Sequence, residues 1–177
     1  MAAPSSRVAA SWKNSNRPAK AYVSDLLTWL EGSALAVWTR ESPSLLAYPT
    51  ILALHSVGLG IVVGASTIVD LRLLGYARRI RLATLVPLFR LIWWAFALNA
   101  VTGFVLFMAD ATIKSTQPVF MVKLACIAAA LVAMLRIRRG LLQSTEDAVI
   151  PSQRAWAVFS LVLWTAAITA GRMMAYF

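Results

Sequence analysis

The chain has 177 residues, of which 60% are hydrophobic, and a formal net charge of +10 at pH 7. This composition excludes an ordinary water-soluble domain, because apolar segments of about 20 residues are long enough to cross a bilayer core of about 30 Å as helices. The positive charge alone would suggest a nucleic-acid partner, but the basic residues are distributed as in membrane proteins, so we expect no nucleic acid and a lipid bilayer instead.

The N-terminal part is predicted to have two regions. Residues 1–21 are rich in Ser, Ala and basic residues and contain no apolar core, so we predict a disordered tail rather than a signal peptide. Residues 22–49 are predicted to be an interfacial helix and an outer loop. Leucines and tryptophans in YVSDLLTWLEGSALAVW recur at roughly helical spacing, with Ser24 as the N-cap. The helix would lie in the membrane interface or simply cover one end of the bundle.

Residues 50–177 are predicted to form a four-transmembrane-helix domain. Strand-like alternation is absent, so the spans are expected to be helices. The predicted fold class is therefore all-α, an integral membrane four-helix bundle with an N-terminal interfacial amphipathic helix. The apolar segments cover about residues 50–69, 86–109, 118–135 and 155–170.

Arginines cluster in two alternate loops of this bundle, which is the positive-inside pattern. We therefore expect a multi-pass protein with both loops in the cytoplasm and both termini on the outer side, in the periplasm or at the cell exterior; in a bacterium this is the inner membrane. Cys126 is the single cysteine, so no intrachain disulfide forms. The clustered arginines are Arg72, Arg78, Arg79 and Arg81 in one loop and Arg136, Arg138, Arg139 and Arg154 in the other.

One outer layer of the bundle is predicted to collect polar residues from several spans. His55, the only histidine, lies about 8 Å deep in the first span. Lys123 in the third span is at nearly the same depth. Asp110 follows the outer end of the second span, and Arg172 lies near the outer end of the fourth. Ionisable groups inside spans usually face a cavity or one another. The alternatives are that the two cations extend to lipid headgroups and that His55 only hydrogen-bonds a neighbouring helix.

Small residues accompany this layer. Gly58 lies one turn from His55 on the same face and predicts room for a flat ligand. A strip of small or polar residues in the second span could border the same pocket; its members are Asn99, Thr102 and Gly103.

Two further patterns lie elsewhere in the first span. Gly60 and Gly64 form G-x-x-x-G on roughly the opposite face, which is typical of close packing within a bundle or between subunits, so we expect a homo-oligomer. Asp70 and Arg72 predict an ion pair or a helix-end feature at the inner surface.

The layer around His55 is suited to a cofactor. A neutral imidazole can ligate haem iron through one ring nitrogen, and Lys123 and Arg172 have the charge to pair with propionates. The predicted cofactor is haem b, with iron on His55; a quinone headgroup is the alternative. No CxxCH is present for covalent attachment. The predicted cofactor-binding residues are His55, Gly58, Asn99, Thr102, Gly103, Lys123 and Arg172.

Short motifs resemble a family of uncharacterised bacterial four-helix integral membrane proteins: LH in the first span, DLRLLG at its inner end, TGFVLF, F-x-x-K-L at residues 120–124, and the G-R of residues 171–172. A more distant resemblance is to the four-helix membrane protoporphyrinogen oxidases and the copper-resistance D-type membrane domains. It implies that His55 ligates haem and that Lys123 has a haem or substrate role. The chain departs from the oxidases at DAVIPSQRAW, which lacks their asparagine–glutamate–proline element, and in its extra segment before the first span.

The leading expectation is a small integral-membrane b-type haem-binding protein, with a redox or electron-transfer role at the outer side of the membrane. Its partners would be quinone or an outer-side redox protein. The alternatives are a cofactor-free structural or accessory membrane subunit and a membrane enzyme acting on porphyrin or quinone.

Overall fold

A computed structural model describes residues 19–76, 78–143, 151–174 and 176. Over these residues it is all-helical, which confirms the predicted fold class. Four helices are long and apolar enough to cross a membrane, so the chain is a multi-pass membrane protein. These four are α3 (Tyr48–Leu74), α4 (Val86–Met108), α6 (Pro118–Gln143) and α7 (Pro151–Met173). Three shorter helices accompany them: α1 (Ala19–Glu31), α2 (Ala34–Glu41) and α5 (Ala111–Thr116).

The long helices begin and end at residues with a clear local role. Each has a proline at or next to its first residue, where the missing N–H of proline costs no helical hydrogen bond. At the end of α3, Gly75 has φ of 99°, and its N–H bonds to the carbonyls of Leu71 and Arg72. This left-handed turn is favoured by glycine, and it ends the helix before the 3₁₀ turn Leu82–Leu85.

Helix α3 holds the bundle together. It packs against α4 on one side and α7 on the other, and α7 in turn packs against α6. Helices α4 and α6 contact each other sparsely; among their contacts, the rings of Phe107 and Phe120 stack 5.2 Å apart. The core between the helices is apolar, and its most buried members include Val62, Val69, Leu73, Phe89, Ile137 and Trp164.

The bundle has two different ends. We call the end where α3 and α6 begin the capped end, because α1, α2 and α5 lie there. We call the other, where α4 and α7 begin, the arginine end. The clustered arginines of the sequence all lie in or beside the arginine end.

The N-terminal segment differs from its predicted form. It contains two helices, because the helical conformation is interrupted at Gly32 and Ser33. Ser33 is the N-cap of α2, and its Oγ accepts a hydrogen bond from the Ala36 N–H. The predicted N-cap at Ser24 is wrong: this residue lies inside α1, and its hydroxyl donates to the Ala21 carbonyl. The predicted tail lies outside the described residues except for residues 19–21, which belong to α1.

Helix α1 exposes its apolar side chains. None of its residues is buried, and Trp29 is 70% exposed, with Val23 and Leu26 also more than half exposed. An apolar helix surface beside a membrane-spanning bundle is suited to the lipid interface.

Candidate functional site

His55 is fixed against α4 by one ring nitrogen. Its Nδ1 lies 3.0 Å from the Asn99 carbonyl oxygen and 3.2 Å from the Thr102 hydroxyl. A carbonyl oxygen only accepts, so Nδ1 carries the hydrogen. The Thr102 hydroxyl donates to the Leu98 carbonyl at 2.7 Å and can therefore accept from the ring. In the neutral imidazole the lone pair is then on Nε2, which bonds to no described residue.

Gly103 lies directly beneath the His55 ring. A Cβ at this position would lie 2.9 Å from Cε1 and 3.3 Å from Nδ1, closer than carbon atoms approach in proteins. Any larger residue would push the ring away from the Asn99 carbonyl. The absence of a side chain at Gly103 therefore accommodates the His55 ring and leaves no space there for a second molecule.

Gly58 has a different role from the predicted one. A Cβ there would lie 3.2 Å from the Ala95 carbonyl oxygen and 3.2 Å from the Asn99 backbone nitrogen. The room beside Gly58 is thus filled by α4, and no space for a flat ligand is left at this glycine. Its contribution is the close approach of α3 and α4, which brings Asn99 to His55.

Lys123 reaches the same region from α6. Its side chain lies along Gly171 of α7, where a Cβ would be 3.5 Å from both Cε and Nζ. Within the described part of the chain, Nζ makes no hydrogen bond or ion pair. The ammonium is close enough to act electrostatically on the His55 imidazole. His55 and Lys123 are both partly buried and belong to two different helices, α3 and α6.

A third free polar atom belongs to Asn99. Its side-chain oxygen Oδ1 is buried and has no hydrogen-bond partner. Buried acceptors without a partner are rare in folded proteins. The region thus combines a ring-nitrogen lone pair on His55, an amide acceptor on Asn99 and a cation on Lys123, a set that can coordinate a metal and bind a polar or anionic group.

Two residues of the predicted layer are not brought into this cluster. Arg172 is exposed near the end of α7 and pairs with no described residue. Asp110 pairs instead with Lys114, at 3.1 Å between Oδ2 and Nζ. The role predicted for Arg172 stays a prediction.

Polar contacts across the capped end were not found by sequence reasoning. Glu31 Oε1 accepts hydrogen bonds from the Thr112 N–H and hydroxyl, both at 2.8 Å. Arg40 Nη1 donates to the Ala109 carbonyl at 3.0 Å. A hydrogen bond to Glu41 raises the pKa of Arg40. The available signal for Glu31 was an acidic side chain directly after the apolar residues at the end of α1.

The structure also has an open apolar groove of about 700 Å³ between α6 and α7. Val122, Leu161 and Thr169 are among its lining residues, and neither His55 nor Lys123 is. The described residues contain no group of three or more His, Cys, Asp or Glu side chains placed to hold a metal ion.

No protein-family model, no curated protein and no solved structure matches the chain. The function is therefore inferred from the geometry around His55.

Proposed function

We propose that the protein is a small b-type haem-binding protein of a bacterial inner membrane. The observation that carries the proposal is the hydrogen bond from His55 Nδ1 to the Asn99 carbonyl. Metal-ligating histidines characteristically donate their second ring nitrogen to a carbonyl or carboxylate, which fixes the tautomer and the ring orientation. Nε2 of His55 is the nitrogen that would hold the iron.

The other residues fit the needs of a haem. Its two propionates require cations; Lys123 supplies an ammonium without a partner among the described residues, and Arg172 an exposed guanidinium near the same end of the bundle. When bound, the haem supplies one-electron redox chemistry. The chain orients the imidazole through Asn99 and Gly103 and excludes water with its apolar helices. We infer electron transfer between quinone and a redox protein on the outer side.

The proposed orientation follows from the charges at the two ends. Arginines are concentrated at the arginine end, and basic loops stay in the cytoplasm. The capped end, with His55, α1 and the end of α7, then faces the periplasm.

The proposal is tested by the visible spectrum of the protein purified in mild detergent, oxidised and dithionite-reduced, with a pyridine haemochrome assay. We expect near-stoichiometric haem b in the wild type and loss of the Soret band in His55→Ala. The matched control is Ser56→Ala, since its hydroxyl bonds only within its own helix. In His55→Gly, added imidazole should restore the band. A wild type that stays colourless when haem is supplied during expression would overturn the proposal.

A second candidate, a cofactor-free structural or accessory subunit, is favoured by one observation. No atom lies within 4 Å of a Cβ placed on Gly60 or Gly64, so this G-x-x-x-G surface is open. Such surfaces allow two membrane helices to approach closely, and a second copy of the chain would fit here. Under this candidate, Gly64→Leu would convert an oligomer into a monomer, and the wild type would be colourless.

A further inference from the structure

A carboxyl group is buried in the half of the bundle nearest the arginine end. Asp70 in α3 is 0% exposed, and neither carboxyl oxygen has a hydrogen-bond partner in the described part of the chain. The predicted ion pair with Arg72 does not form in the structure, because the Arg72 Nε donates to the Ile80 carbonyl in the following loop. The two side chains are only two residues apart, so they leave the helix in different directions.

The groups around Asp70 are polar but also lack partners. Ser66 lies one turn earlier on the same face of α3; it is fully buried, and its hydroxyl has no hydrogen bond. The Ser160 hydroxyl of α7 adjoins the carboxyl and makes a weak 3.8 Å hydrogen bond to the Met134 sulfur. Trp164, one turn further along α7, has a buried Nε1 without a partner.

No described charge compensates Asp70. The charged residues in the nearby parts of the packed helices are all exposed arginines: Arg90 on α4, Arg136, Arg138 and Arg139 on α6, and Arg154 on α7. Arg136 lies over the Trp156 ring. An ionised carboxylate without a partner is very costly in such surroundings, whereas a carboxylic acid can donate its hydrogen to a neighbouring hydroxyl.

We propose that Asp70 is a proton-binding site inside the bundle. The carboxylate takes up one proton from water and becomes a carboxylic acid, whose O–H donates to the Ser66 or Ser160 hydroxyl. A metal cation is a poorer occupant, because it needs about six oxygen ligands, while the site offers four side-chain oxygens from three residues and Arg72 lies close by in the sequence. The site is independent of haem, since it lies about 22 Å from His55 along α3.

The proposal is tested by infrared spectroscopy of the full chain in lipid nanodiscs. At neutral pH we expect a protonated-carboxyl C=O band in the wild type that disappears in Asp70→Asn. The matched control is Asp110→Asn, which removes a partly exposed carboxylate paired with Lys114 and should leave the band. If the folded Asp70→Asn variant has the same protonated-carboxyl bands as the wild type, the proposal is wrong.

Thermal unfolding gives a second, independent readout. At neutral pH the folded wild type would hold a proton that the unfolded chain has already released. Its free energy of unfolding should therefore be highest at low pH and fall as pH rises. Asn imitates the neutral carboxyl, so Asp70→Asn should fold and lose this part of the pH dependence. A melting temperature that instead rises with Na⁺ or K⁺ at constant ionic strength in the wild type, and not in Asp70→Asn, would assign the site to a cation and overturn the proposal.

Discussion

The two halves of the bundle differ in how their titratable side chains are partnered. Near the capped end, His55 and Glu31 are each held by a group on another helix, the Asn99 carbonyl and Thr112 respectively. In the other half, neither the Asp70 carboxyl nor the Ser66 hydroxyl has a hydrogen-bond partner among the described residues. A side chain held by a hydrogen bond to one of its polar atoms has a fixed orientation, and its second polar atom is available to a ligand. A buried carboxyl with no partner is suited to gaining or losing a proton. The infrared test above concerns the Asp70 half, and the four predictions below test the contacts of the capped half and the orientation of the two ends.

The largest effect is expected for Gly58→Ala. The new Cβ would lie 3.2 Å from backbone atoms of Ala95 and Asn99, and backbone cannot yield as a flexible side chain can. Separating α3 from α4 should cost about 1–3 kcal/mol of unfolding free energy, measured by denaturant or thermal unfolding of the monomer. Gly60→Ala is the control, because nothing lies within 4 Å of its Cβ position. Equal destabilisation by both changes would contradict the close approach of α3 and α4.

A smaller effect on stability, with a specific spectral change, is expected for Gly103→Ala. Its Cβ would contact His55 Cε1 at 2.9 Å, so the ring should leave the Asn99 carbonyl, at a cost of about 1 kcal/mol for the lost hydrogen bond. If haem is bound, the Soret band should weaken under competition with a haem-binding protein. Ala97→Gly, at an exposed position of the same helix, is the control; a Soret band as strong as in the wild type would show that the ring position is unimportant.

A local effect is expected for Glu31→Gln. The variant replaces charge-assisted hydrogen bonds to Thr112 with neutral ones, which weakens the contact by about 1 kcal/mol. Faster backbone hydrogen exchange should appear in α1 and α5, with α6 and α7 unchanged. Glu41→Gln is the control, since Glu41 is exposed and pairs only with the adjacent Arg40 among described residues. An unchanged rate of hydrogen exchange in α1 would mean that this contact does not hold α1 against α5.

The smallest effect concerns topology and should leave stability unchanged. In a Cys126→Ser background, Ser42→Cys at the capped end should react with a membrane-impermeant maleimide in intact bacterial cells. Arg79→Cys at the arginine end should react only after the cells are opened. The reverse pattern would invert the proposed orientation and place His55 near the cytoplasm.

Much of the candidate site was predicted from the depth of each residue along its membrane span. Counting residues from the span ends placed His55, Thr102 and Lys123 at one level, and the structure brings Thr102 to His55 and Lys123 within electrostatic reach. Rotation about each helix axis was the weaker part of the prediction. Gly58 was assigned to open space, but it faces the α4 backbone, because sequence spacing indicates which residues share a face and not what that face contacts.

The sequence by itself determined the four membrane-spanning helices, the interfacial character of the N-terminal segment and the difference in charge between the two ends. These properties depend on hydropathy, helical period and composition, which are local. Only the tertiary structure decided that α1 and α2 are separate helices joined to the bundle through Glu31 and Arg40, and that Asp70 turns away from Arg72 into the interior. Such contacts join residues far apart in the chain, so they depend on how the helices are rotated and packed against one another.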